Sequence, residues 1–171
     1  MDTYPLTMIK DKIVEGRRRR FSYAAPQRIY IGVVKHADGF DAAGYILSRQ
    51  GAITGARLEK LCFYAQAWGL QWDGKPLFGE PFEAWPVGPT CPVLYARHEG
   101  RFTVHPGEIG NGRTLDAHNR ETVDTVLAYY GILDAYELAS VAYRDVRGMG
   151  IPDGKRIPVA VMMGYFAGFT N

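Results

Sequence analysis

Cys91 and His98 lie seven residues apart and could form a thiol–imidazole pair, in which the base generates a thiolate nucleophile. Against that chemistry, Cys91 sits in a proline-rich segment, and a histidine near a helix end is commonly just solvated. The other histidines are at 36, 105 and 118. No two are spaced i,i+4, and neither Cys62 nor Cys91 has metal-ligand spacing to a second Cys or His, so no metal centre is expected. Gly74-Lys75-Pro76 lacks the preceding glycine and the Ser/Thr of a phosphate loop. Glu80 and Glu83, three residues apart, read as an acidic rim beside Trp85 or as solvated side chains. Residues 57–95 instead concentrate aromatics and turn formers, including all three Trp and both Cys. Aromatics without convergent titratable groups suit binding rather than catalysis, and no cofactor is expected.

The elements that position these residues follow from local pattern. Leu58, Leu61, Cys62, Ala65 and Trp72 recur at helical spacing, with Tyr64 and Trp68 on an adjoining stripe, which predicts one amphipathic helix. Thr54 is placed to cap it; Gly74 and Pro76 end it. Phe82, Ala84 and Trp85, between Pro81 and Pro86, predict an edge strand or hairpin arm. Gly88-Pro89-Thr90-Cys91-Pro92 reads as a rigid turn, with Pro92 opening a helix through Leu94 and Tyr95 to near Gly100. Asp41 is a candidate cap for a helix carrying Tyr45, Ile46 and Leu47. Residues 102–113, rich in Gly with Pro106, read as a loop. Asp116 starts a helix that turns Val123, Val126, Leu127 and Tyr130 inward and ends at Gly131. Asp134 and Glu137 have capping-box spacing for a short helix through Val141. Residues 157–169 form an apolar final helix with Val159, Met162, Met163 and Phe166 at helical spacing. The expected fold is mainly α with a small β element (α+β): a compact multi-helix bundle with a short hairpin or edge strand near residues 77–86.

At 171 residues and 47% apolar, the chain can bury a core without staples. No apolar run approaches membrane-spanning length, no secretory signal pattern opens the chain, and two cysteines fit a reducing compartment, so a cytoplasmic protein without membrane contact is expected. Charge is uneven. Residues 1–38 carry eight Lys/Arg against four Asp/Glu, whereas the remainder is net acidic. Arg17, Arg18, Arg19 and Arg20 form a basic run that reads as a solvated arm or as a contact for an acidic partner; nucleic acid is not the expected one. Residues 28–34, RIYIGVV, suit one strand. Two parts result: a basic extension at 1–38, partly disordered or carrying one strand, and a helical domain at 39–171.

LEKLCFYAQAW (58–68), GKPLFGEPFEAW (74–85) and VGPTCPVLY (87–95) together resemble the Panacea domain, the SocA-like or GepA-like domain of bacterial and phage proteins. Residues 41–58 look like that family's first helix and linker, and 123–145 like its "vlxxYGxxsaxxLsxlTHxE" part. The chain departs from the pattern in carrying Ala142-Tyr143 where the family has Thr-His, Val146-Arg147-Gly148 where it has Pro-Trp, and Val87 where an aromatic precedes Gly-Pro. The resemblance implies an antitoxin of a toxin–antitoxin pair, prophage-borne in some members, that binds a cognate protein toxin. The alternative is a SocA-type proteolytic adaptor that delivers the toxin to ClpXP. An enzyme using Cys91 and His98 is the least favoured reading. Tyr64, Trp68, Trp85 and Tyr95 are the candidate anchors, with Gly88 and Pro89 shaping the turn that presents them. The identity of the toxin and the oligomeric state stay open.

Overall fold

Thirteen consecutive residues of one helix, 58–70, are buried, and the rest of the protein is wrapped around them. The computed structural model describes residues 7–20 and 38–170. In chain order the elements are α1 (Thr7–Arg20), α2 (Gly39–Gln50), β1 (Ile53–Thr54), α3 (Gly55–Asp73), β2 (Glu83–Trp85), β3 (Gly88–Thr90), α4 (Pro92–His98), β4 (Thr103–Val104), α5 (Ala117–Tyr129), α6 (Ala135–Gly148) and α7 (Val159–Ala167). The central helix is α3, which packs against α2, α4, α5, α6, α7 and β3. This is the expected mainly α protein with a small β element. Among the described residues no helix is long and apolar enough to cross a membrane.

Local signals account for most helix ends. Thr54 accepts a hydrogen bond from the Arg57 amide at the start of α3, and Gly74 closes that helix in the left-handed region at φ 69°. Asp134 and Glu137 form the anticipated capping box, although α6 runs on to Gly148 rather than stopping at Val141. Asp116 caps α5. On α2 the cap is Asp38, and Asp41 is its reciprocal partner at the third helical position.

Three expectations change. The apolar stripe of α3 is real, but the opposite face is buried as well, because other helices cover it. Most of its buried polar side chains therefore find internal partners, although Gln71 Oε1 has none among the described residues. Gln66 accepts from the Leu77 and Phe78 amides and donates to the Phe78 carbonyl at 2.7 Å, clamping the irregular segment after α3. Secondly, Gly88-Pro89-Thr90 is not a turn but strand β3. It pairs antiparallel with β2, Glu83 opposite Thr90 and Trp85 opposite Gly88, so Pro86-Val87 is the turn. The other flank of β2 is covered by the 154–157 segment, through Ala84 N–H to the Lys155 carbonyl and Ile157 N–H to the Phe82 carbonyl, both 2.8 Å. Thirdly, residues 103–104 inside the expected loop form β4, which pairs with β1.

The basic extension contributes to the core. Ile9 and Ile13 of α1 are buried with the rest of the apolar interior. Lys10 is buried too and places its ammonium 2.6 Å from Asp145 of α6. Arg17 stacks over the Trp72 ring at 4.2 Å. The expected strand at 28–34 and the side chains of Arg18, Arg19 and Arg20 lie outside the described residues.

Candidate partner-binding site

The anticipated anchors separate into two groups. Tyr64 and Trp68 have no solvent-accessible surface. Tyr64 stacks on Tyr130 with ring centroids 3.8 Å apart, and Trp68 donates its indole N–H to the Tyr130 hydroxyl at 3.0 Å while meeting Phe166 edge-on. In this fold they hold the interior and cannot touch a partner directly. Burial, reinforced by the Asp145 carboxylate, pushes the Tyr64 hydroxyl well above its ordinary value, so it stays a neutral donor.

Trp85, Gly88, Pro89 and Tyr95 do come together, on the β2–β3 hairpin and the helix that follows it. Trp85 and Tyr95 are half-buried and meet edge to face at 5.0 Å. The Trp85 indole N–H donates to Glu83 Oε2 at 2.7 Å, which fixes the ring over its own strand. Gly88 has φ +114°, a conformation that favours glycine, and a Cβ there would meet only the end of the Lys60 side chain at 3.3 Å. Pro89 is buried within β3. The turn between the strands projects Val87, which is 67% exposed, and Val93 on the first turn of α4 is 45% exposed. A rigid pair of rings thus stands beside apolar side chains held in water.

The support beneath this surface is a buried carboxylate that single-residue inspection did not reveal. Glu59 of α3 accepts the Cys91 amide on one oxygen at 2.8 Å and lies 2.9 Å from His98 Nε2 through the other. It therefore ties both ends of α4 to the central helix. Burial pushes the Glu59 carboxyl up, opposed by its bonds to His98 and the Cys91 amide. The imidazole meets the Tyr95 ring edge to face at 5.2 Å. Its far side lies so close to Gly55 that a Cβ there would overlap the ring. From Trp85 through Tyr95 and His98 to Glu59, one contact chain runs from surface to core.

This arrangement bears on nucleophilic chemistry. His98 Nε2 is engaged by Glu59. Burial pushes the Cys91 thiol up to about 11, and burial also holds the Cys62 thiol well above its ordinary value. Neither thiol is set up as a thiolate near neutral pH. Both cysteines are therefore expected to react with an aromatic disulfide reagent at pH 8 at least about a hundredfold more slowly in the native protein than in denaturant. Rapid native labelling of one thiol would show an activated cysteine.

The second residue that carries the structure without an evident motif is Asp145. Its carboxylate receives Lys10 and the Tyr64 hydroxyl at 2.6 Å each, and the Tyr165 hydroxyl at 2.7 Å. A signal for it was present. Leu138, Val141, Ala142, Asp145 and Val146 are spaced i, i+3, i+4, i+7, i+8, which puts a carboxylate on the inward stripe of α6. Glu59 offered no such signal, since it lies off the apolar stripe of α3. Among the described residues no group of three or more His, Cys, Asp or Glu is placed to hold a metal ion.

Fold and site define a helical protein that presents a hairpin-borne aromatic surface over a hydrogen-bonded core. The family model described as antitoxin SocA-like, Panacea domain, matches residues 58–145, just over half of the chain, and the chain belongs to that family. No curated protein and no solved structure matches the chain. The match begins on α3 and ends at Asp145. The chain's own departures from the motif lie mostly on the surface. Tyr143, where a histidine was expected, is exposed, and its hydroxyl accepts from Arg147 at 2.7 Å. Val146-Arg147-Gly148 simply continues α6, and Val87 is the tip of the hairpin.

Proposed function

We propose that the protein is the antitoxin of a toxin–antitoxin pair and neutralises a cognate protein toxin by direct binding through the β2–β3 hairpin. The observation that carries this reading is the Trp85–Tyr95 ring pair, 5.0 Å apart on the hairpin and α4, with the sequence-near Val87 and Val93 both exposed. Membership of the antitoxin-like family supports it. Because Glu59 and Gly88 fix the hairpin before any partner arrives, little ordering entropy is lost on docking. The toxin's active surface would be occluded without any chemistry by the antitoxin.

The test is recovery of tagged protein from cells that co-express the adjacent open reading frame. A toxic neighbour retained at near 1:1 ratio is expected. Val87→Asp, which places a charge on the exposed tip, is expected to weaken that complex by about 2 kcal/mol, roughly thirtyfold, with the melting temperature unchanged. A neighbour that is harmless alone, or one bound equally well by Val87→Asp, overturns the reading. Toxin level distinguishes the SocA-type route. An adaptor to ClpXP lowers it, and ClpX then appears in the same eluate; a plain antitoxin leaves it unchanged or raises it.

A further inference from the structure

α2, the loop after β4 and α5 border an open surface pocket of about 290 Å³ that the hairpin surface does not use. Its walls are made by backbone meeting backbone. At Gly44 a Cβ would come within 2.9 Å of the Gly110 carbonyl carbon and 3.0 Å of the Asn111 and Gly112 nitrogens. At Gly112 a Cβ would sit 2.7 Å from the Tyr45 Cα. Gly110 adopts φ +64°, and a Cβ there would collide with the Phe40 carbonyl. The loop is latched in this position by the Thr114 hydroxyl on Asp41 and by the Asn111 side chain, which accepts the Arg113 amide at 3.0 Å. The cavity rim is therefore preformed rather than a gap between mobile side chains.

Two arginines, Arg113 and Arg120, are among the residues that line this pocket, and among the described residues no Asp or Glu is. Arg120 donates Nη2 to the Arg113 carbonyl at 2.8 Å, while its Nε is buried with no partner. Among the described residues neither arginine has an ion-pair partner. The nearby Asp124 is committed elsewhere, receiving the Tyr45 hydroxyl at 2.9 Å and Arg49 Nε at 3.1 Å. Two arginines at one pocket, one of them with a buried N–H that has no partner among the described residues, leave donors for an anion to take. A guanidinium offers planar N–H donors suited to an oxyanion, and the glycines that line the pocket leave room for one beside them. We propose that this cavity is a binding site for a phosphate group, either free phosphate or the phosphate monoester of a small metabolite.

The test is an NMR titration of the full-length 15N-labelled chain with inorganic phosphate, and separately with a nucleoside monophosphate, at constant ionic strength. Saturable shifts of the Gly44, Gly110 and Gly112 amides are expected, with a dissociation constant in or below the millimolar range. Equal affinity for both probes points to free phosphate, and tighter binding of the monoester to a phosphorylated metabolite. Arg113→Gln and Arg120→Gln should each weaken binding about tenfold. Arg113 is exposed, so its variant decides the matter even where Arg120→Gln fails to fold. Absence of saturable shifts at these glycines, or shifts unaffected by Arg113→Gln, overturns the proposal.

Discussion

Asp145→Ala is expected to lower the unfolding free energy by about 3–5 kcal/mol, the range for stripping one partner from a buried ion pair. Three donors converge on this carboxylate from three different helices: Lys10 from α1, Tyr64 from α3 and Tyr165 from α7. Removing it leaves the buried Lys10 ammonium and Tyr64 hydroxyl, and the part-buried Tyr165 hydroxyl, without their acceptor. An unsatisfied buried donor costs its full desolvation, and the unpaired Lys10 charge costs most. Lys10→Met should cost clearly less, because Asp145 then still accepts two hydroxyls. The double variant should recover part of the loss, giving a coupling of about 1–3 kcal/mol in a double-mutant cycle. Urea unfolding followed by circular dichroism measures all three. A loss below about 1 kcal/mol for Asp145→Ala would mean that water solvates the site. The residue also explains why a basic N-terminal stretch belongs to the folded body: its lysine neutralises an acid on α6.

Trp68→Ala is expected to cost a similar amount, about 3–5 kcal/mol, through lost transfer energy and the cavity left beside Phe166 and Trp72. Trp68→Phe keeps most of the volume but strips the Tyr130 hydroxyl of its indole partner, which predicts about 1–3 kcal/mol. These variants separate a residue that holds the surface from one that forms it. The folded Trp68→Phe protein should bind its partner within a factor of about three of wild type, whereas Val87→Asp should lose binding at unchanged stability. Paired melting curves and affinity measurements provide the check. If the folded Trp68→Phe protein fails to bind, the indole reaches the partner in a conformation other than this one.

Capping, turn chemistry and period were legible because each depends on a few neighbouring residues. Thr54 and Gly74 bracket α3 as their side-chain and φ preferences dictate, and the Asp134–Glu137 box opens α6. Asp38 was not recognised as the α2 cap, since Asp38 and Asp41 offer two equivalent carboxylates and only the finished box says which stands first. The hairpin was placed correctly on one strand and misjudged on the other. Gly88-Pro89-Thr90 has turn composition, and the strand exists because β2 is there to pair with it.

The candidate site divides the same way. Aromatic content alone marked Tyr64, Trp68, Trp85 and Tyr95 as a set; packing assigned two of them to the interior and two to the hairpin. Local sequence determined the helices from α2 onward, most of their caps, one strand of the hairpin and, through a dense motif between residues 58 and 95, the family, whereas helix α1 at 7–20 departs from the expected arm or strand. Tertiary structure alone decided that α3 is buried on every side, that Glu59 is a structural acid, which donors meet Asp145, and that Lys10 belongs to the core. The physical reason is that a side chain's own period specifies which face it occupies, whereas the free energy of a polar group on that face depends on what distant segments bring against it.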